Sequence, residues 1–275
     1  VPMTLGQTFQ EFADAMKHEC QRMDFAAKEF LVINMGATAI GTGITATPGY
    51  AEACVEFIRN ISGLNVTLAE NLVEATSDTS ALITYSSAMK GLALRLSKIC
   101  NDLRLLSSGP RTGLAEINLP ARQPGSSIMP GKVNPVIPEV VNQVCFKVIG
   151  NDVCLTLASE AAQLELNVME PVMMESLVES AFWLERAMNT LRILCIDGIT
   201  ANADHCREMT IHSIGIVTAL KPYIGYTNCT AVAKEALETG GSVYDLVLKK
   251  GLLTKEQLDR ILDPANMVRP VKIEL

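Results

Sequence analysis

The chain has 275 residues, 48% of them hydrophobic and only 5% aromatic, enough apolar material to bury a large core in one big domain or two smaller ones. Its net charge of −7 comes without long runs of one sign, which argues against a nucleic-acid backbone or an anionic membrane as partner and leaves local sites for small anions open. No signal-like opening and no apolar run of membrane-spanning length is legible, and eight cysteines without a C-x-x-C pair point to reduced, buried thiols in a cytosolic protein.

Val1-Pro2 leads almost at once into a long helical pattern, so the chain reads as a fragment whose earlier portion is missing. Thr4 followed by Gln7 has capping-box spacing, and Phe9, Phe12, Met16, Cys20, Met23 and Phe30 then fall at intervals that predict one long amphipathic helix. "NMGATAIGTG" (34–43) is not spaced as a nucleotide loop and follows no strand; its glycines suit close backbone packing. A shorter helix is expected over Tyr50 to Ile61. Leu82, Tyr85, Met89, Leu92, Leu96, Ile99, Leu103 and Leu106 step by three and four, a seam that wants neighbouring helices. "SSGPR" (107–111) stops it, and Thr112 to Val133 reads as loop.

The next long helix is expected with Asn134 as cap, Pro135 at its first position and Pro138 in its first turn, running toward Leu166 with an interruption near Gly150. Pro171 is expected to break it before a further helix from Val172 to Leu194. Beyond that, short helices divided by Pro222, Gly225, Gly240-Gly241 and Gly251 are predicted, with a second capping box at Thr254 and Gln257. Strand patterns are nearly absent. The fold class is therefore all-α: a long-helix bundle over 1–200 carrying a loop at 118–134, then a small helical domain over 201–275.

Within that loop stands "PGSSIMPGKVNPVIPE" (124–139), which sets two serines, two glycines, a lysine and an asparagine between prolines. Backbone N–H groups, the positive end of the following helix, the Lys132 charge and the Asn134 amide together describe a carboxylate site. A serine in such a field can lose its proton easily and act as a base. An isolated loop of this composition also fits a solvated connection with a capped helix behind it. His18, His205 and His212 carry no assigned role, the methionines read as core filler, and Glu165 and Glu170 sit among ordinary bundle residues.

"GSSIMPGKVNP" resembles the signature of the fumarase/aspartase superfamily, and "SKICNDLRLLSSGPRTGLAEINLP", "NQVCFKVIGND" and "GLLTKEQLD" extend the likeness along nearly the whole chain. "QLELNVMEPV" is similar to the aspartase branch, since class II fumarases more often carry an aromatic and a lysine where Met169 and Glu170 stand here. The resemblance implies reversible anti elimination of ammonia from L-aspartate to give fumarate. It makes Ser126 the base that takes the C3 proton. Lys132 and Asn134 would hold a substrate carboxylate, Ser127 would help stabilise the loop, and Glu139 would pair with an active-site histidine. It further implies a homotetramer whose sites draw on three subunits. No cysteine-histidine cluster with metal spacing is legible, so no integral metal and no cofactor are expected, with activation by divalent cations left open. The family's other site elements lie upstream and are not found in this sequence, so the chain alone is expected to be inactive. Two alternatives stand beside this reading: a class II fumarase acting on malate, and a non-catalytic helical oligomer.

Overall fold

The computed structural model of the chain describes residues 2–123, 125, 128–129 and 131–270. The fold is all-α. Helix α1 (Leu5–Ala26) starts at the expected capping box, with Gln7 N–H donating to Thr4 Oγ1 at 3.1 Å and Thr4 N–H donating to Gln7 Oε1 at 2.9 Å. It tightens into a 3-10 turn at Ala27–Leu31 instead of continuing as α-helix to Phe30. There follow α2 (Tyr50–Ser62), a single turn α3 (Glu74–Ser77), α4 (Ser80–Leu106), α5 (Val136–Glu160) and α6 (Glu170–Leu194). Five further helices follow among the described residues: α7 (Ala203–His212), α8 (Val217–Thr239), α9 (Val243–Lys249), α10 (Lys255–Ile261) and α11 (Pro264–Met267). Among the described residues, strand structure is limited to two-residue pieces. Val32–Ile33 (β1) pairs in parallel with Thr67–Leu68 (β2), and Ile117–Asn118 (β3) pairs antiparallel with Thr200–Ala201 (β4).

Two compact units divide the residues. One comprises Val1–Ala13, Gly109–Asn118 and Thr200–Leu275, and the other comprises Asp14–Ser108 and Leu119–Ile199. In the first, Ile216, Leu220, Val232, Val247 and Leu258 form a core shared by α8, α9 and α10. Gly225 (φ 77°, ψ 164°) leaves helical geometry and kinks α8, while Pro222 is held inside the same element. The second capping box, Thr254 with Gln257, closes as expected at the head of α10.

The second unit is built on α4, α5 and α6. The seam read from the sequence supplies the buried face of α4: Met89, Leu92, Leu96, Ile99 and Leu103 are buried on this helix, which packs on α5, with its buried Val141, Val148 and Leu155, and on α6, with its buried Met173, Leu184 and Leu191. Three expectations about these helices are corrected. The helix after the loop begins at Val136, with Pro135 at the cap position; proline has no side-chain acceptor, so there is no side-chain cap, and the Asn134 amide donates instead to the Gly125 carbonyl. It runs unbroken through Gly150, whose position is open, and ends at Glu160, well before Leu166. Pro171 breaks nothing: α6 starts one residue earlier, and a proline in the first turn lacks only an N–H that has no helical partner. By length and composition α5 could cross a membrane, contrary to the sequence reading, yet its buried Asn142, Asn151 and Asp152 and its packing between α4 and α6 are those of a core helix.

Polar ties cross this apolar interior. Thr79 and Ser159 share a hydrogen bond of 2.7 Å, the Ser86 hydroxyl donates to Asp152 at 2.8 Å, and the Asn142 amide donates to Ser97 Oγ at 2.8 Å. Lys90 adds an ion pair to Asp152 at 2.6 Å. Asp152→Ala is expected to lower the unfolding free energy by about 2–3 kcal/mol, since the buried Ser86 hydroxyl loses its acceptor while Lys90 can turn to water. Urea unfolding would check this, and a loss below about 0.5 kcal/mol would show the tie to be without net worth.

All eight cysteines are unpaired, and three of them, Cys100, Cys145 and Cys195, are buried in this unit. Burial pushes the Cys145 and Cys195 thiols up to about 11, and Cys100 is raised further by burial and then by its two thiol neighbours. In the native protein a thiol reagent is therefore expected to modify the exposed Cys20 and to reach Cys100, Cys145 and Cys195 only after unfolding. Mass spectrometry after brief labelling reads this, and fast modification of the three with helicity intact would contradict it.

The outer sides of the same helices are apolar as well. Phe146, Val153 and Leu157 of α5 share one exposed face with Gly150, and Met174, Val178 and Phe182 form another on α6, bordered by the half-exposed Trp183. The Arg186 guanidinium lies 4.1 Å from the Phe182 ring centre.

Candidate active site

The loop that carries the signature is pinned at both ends. On its approach side Pro120 lies against Gly198, where a Cβ would come within 2.6 Å of the proline Cγ, and Arg122 Nε donates to the Leu194 carbonyl at the end of α6, 2.6 Å away. That carbonyl belongs to the last turn, which has no helical donor of its own. On its exit side the chain turns into α5, with Val136 N–H donating to Asn134 O at 2.9 Å and Glu139 N–H to Pro135 O at 3.1 Å.

Between these anchors the loop is drawn into a neck. Asn134 Nδ2 donates to the Gly125 carbonyl at 2.6 Å, and Lys132 N–H donates to Met129 O at 3.3 Å. Gly125 approaches Lys132 so closely that a Cβ there would fall 1.4 Å from the Lys132 carbonyl oxygen. Only glycine fits. Gly131, with φ of 80°, supplies the left-handed turn just before Lys132. The Ile128, Met129 and Val133 side chains are exposed, as is Lys132.

Of the residues singled out from the sequence, Lys132 and Asn134 are brought together at this neck. Glu139 sits half-buried in the first turn of α5, where the helix's partial positive charge favours a carboxylate. Ser126 and Ser127 lie outside the described residues. Asn134 has one N–H on Gly125 O and a second still to give, so holding the neck does not exhaust its capacity to bind an anion. Sequence reasoning missed the parts played by Gly125 and Arg122. For Gly125 the signal was the glycine itself, immediately before the two serines; for Arg122 there was none, because its partner lies 72 residues further along the chain.

"GATAIGTG" does serve close packing: a Cβ at Gly41 would lie 2.2 Å from Val73 Cα. No group of three or more His, Cys, Asp or Glu side chains suited to holding a metal ion occurs among the described residues.

Two family models match the chain, one described as "Lyase" over residues 1–150 and one as "Fumarase C C-terminus" over residues 216–269. The chain belongs to the fumarase/aspartase lyase family. Among its curated family relatives is an aspartate ammonia-lyase of Pseudomonas fluorescens, 57% identical over 276 residues, a match that takes in 100% of this chain and 58% of the relative. Two solved members of the family share its fold. The fumarate lyase:delta crystallin from Brucella melitensis bound to cobalt superposes with a TM-score of 0.93 at 49% identity, covering 98% of this chain and 58% of that one. A class II fumarase from Schistosoma mansoni gives a TM-score of 0.92 at 29% identity, covering 97% and 59% respectively. The chain thus spans a little over half the length of the family members it matches.

Proposed function

We propose that this chain is the greater part of an aspartate ammonia-lyase. The observation that carries the reading is its likeness, along its entire length, to proteins of that name at more than half identity. "QLELNVMEPV" points the same way, and the neck at Gly125 supports a role for the signature loop. In the proposed reaction Ser126, as alkoxide, removes a proton from C3 of L-aspartate. The C3–H electron pair moves into the adjacent carboxylate as an enediolate, then forms the C2–C3 double bond as the C2–N bond breaks and ammonia leaves. The product is fumarate. Since no redox change occurs, the reaction calls for no redox cofactor. Its difficult species is the doubly charged enediolate, which Lys132, an Asn134 N–H and loop backbone donors would stabilise in place of water, each donor contributing about 10²–10³ in rate. Glu139 would orient a histidine supplied by another part of the assembly.

Assembly belongs to the same proposal. The exposed apolar faces of α5 and α6 suit packing between copies, in keeping with a homotetramer, and the eight unpaired cysteines suit a reducing compartment such as the cytoplasm. These 275 residues taken alone are proposed to be inactive, since they match only a little over half the length of their relatives.

The test joins the chain to the corresponding amino-terminal portion of the Pseudomonas fluorescens enzyme and follows fumarate absorbance with L-aspartate and L-malate offered separately. Turnover of aspartate with ammonia release is the expected result. Turnover of malate alone would move the reading to a fumarase, which the Schistosoma mansoni likeness keeps as the second candidate. Silence with both would favour a helical oligomer without this chemistry.

A further inference from the structure

Asn142 lies one turn beyond Glu139 on α5, is 3% exposed, and uses every polar atom of its side chain on α4. Its Nδ2 donates to Ser97 O at 3.1 Å and to Ser97 Oγ at 2.8 Å, and its Oδ1 accepts from Arg104 Nη1 at 3.3 Å. The two neighbouring ties, Ser86 with Asp152 and Thr79 with Ser159, follow in order down α4 and up α5, so all three specify one antiparallel register. Apolar side chains alone leave such a register loosely determined, because a helix can slide or rotate a little while its leucines find new neighbours. A fully satisfied polar contact does not slide without leaving donors unpaired.

We infer that Asn142 is a positioning residue: it fixes the rotation and axial position of the amino end of α5, and through it Asn134, Lys132 and Glu139, against α4. The tie nearest the loop has this task because it is the only one of the three within two turns of the helix start. Its worth in stability is small. After Asn142→Leu, the Ser97 carbonyl keeps its partner within α4, the Ser97 hydroxyl can bond to its own helix, and exposed Arg104 returns to water, so no buried group is left unsatisfied. The effect is therefore expected on placement.

The kinetic arm of the test rests on the proposed function, and the exchange arm does not. In the chain as it stands, Asn142→Leu should leave circular dichroism and the thermal midpoint nearly unchanged, yet speed hydrogen exchange of the amides from Glu139 to Val144 by roughly tenfold or more. In the extended, active protein it should lower kcat by about 10²-fold with a much smaller change in KM, the cost of a misplaced constellation. Asn142→Gln, which keeps the donors but lengthens the reach, should restore part of the protection and part of kcat. Unchanged exchange in the leucine variant overturns the inference, whatever the activity. Faster exchange with kcat within twofold of the parent confines Asn142 to a structural role and overturns the positioning claim. If the unsubstituted extended protein converts neither acid, the proposed function fails and the exchange result alone decides. If the leucine variant does not fold, Ser97→Ala, which removes only the hydroxyl partner, carries the same comparison with a smaller expected change.

Discussion

Ser126→Ala in the extended protein is expected to lower kcat for fumarate formation by about 10²–10⁴-fold, the usual contribution of a positioned general base. KM for L-aspartate should move far less, because a hydroxyl that acts on the C3 proton improves the transition state and not the bound ground state. Initial rates of fumarate absorbance across a range of aspartate concentrations give both constants. Turnover retained within about tenfold would remove Ser126 as the base and leave the loop a binding element only. Ser126→Cys is a useful companion: a thiol ionises more readily than a hydroxyl, so partial activity with a lower pH optimum would support proton abstraction at this position.

Gly125→Ala should be nearly as damaging, for a reason of shape. The added Cβ would lie 1.4 Å from the Lys132 carbonyl oxygen and 2.4 Å from its carbonyl carbon, so what must move is backbone on both sides of the neck. The Gly125 carbonyl would then be drawn off the Asn134 amide. A displacement of about an ångström in a catalytic constellation costs about 10²-fold, and that loss in kcat/KM is expected here with no loss of helical content, since none of the described loop residues from 119 to 135 is a buried apolar core residue. Wild-type kinetics in this variant would mean that the neck is incidental to the chemistry. Circular dichroism on the same sample separates a displaced loop from a misfolded chain.

What the sequence disclosed was local. The two capping boxes involve residues three apart and formed as read, and the α4 seam followed from spacing alone. What it concealed depended on partners far away in the chain. Helical periodicity places Cys20 on the inner face of α1, yet Cys20 is exposed and Glu19 is buried at 1% exposure. Arg22 meets Glu19 Oε1 at 2.6 Å and Arg95 approaches the same oxygen to 3.6 Å, while Gly91 of α4 leaves room for Oε2, which is buried without a hydrogen-bond partner among the described residues: a Cβ at Gly91 would sit 3.2 Å from it. A pattern that scores glutamate as polar cannot see this. Pro171 and Asn134 misled for related reasons. Both residues are strong boundary markers taken alone, but Pro171 falls where a helix tolerates it, and the Asn134 side chain found a carbonyl nine residues back in place of its own helix. For the candidate site, the residue types and their order could be read directly. The contact between Gly125 and Lys132 could not, because it is a property of how the loop folds on itself.

Trp183 is the chain's single tryptophan, and it stands 45% exposed at the edge of the apolar side of α6, beside Phe182. The Glu179 carboxyl nearby is held below its ordinary range, chiefly by the Asn151 amide, with Lys147 and the indole N–H assisting. If the proposed assembly uses this face, the protein carries its own fluorophore at the edge of the contact. Emission from a lone chain would be that of a partly wet indole, and meeting a second copy would shift it to the blue. A dilution series read at one wavelength thus turns this side chain into a gauge of subunit exchange, without any label.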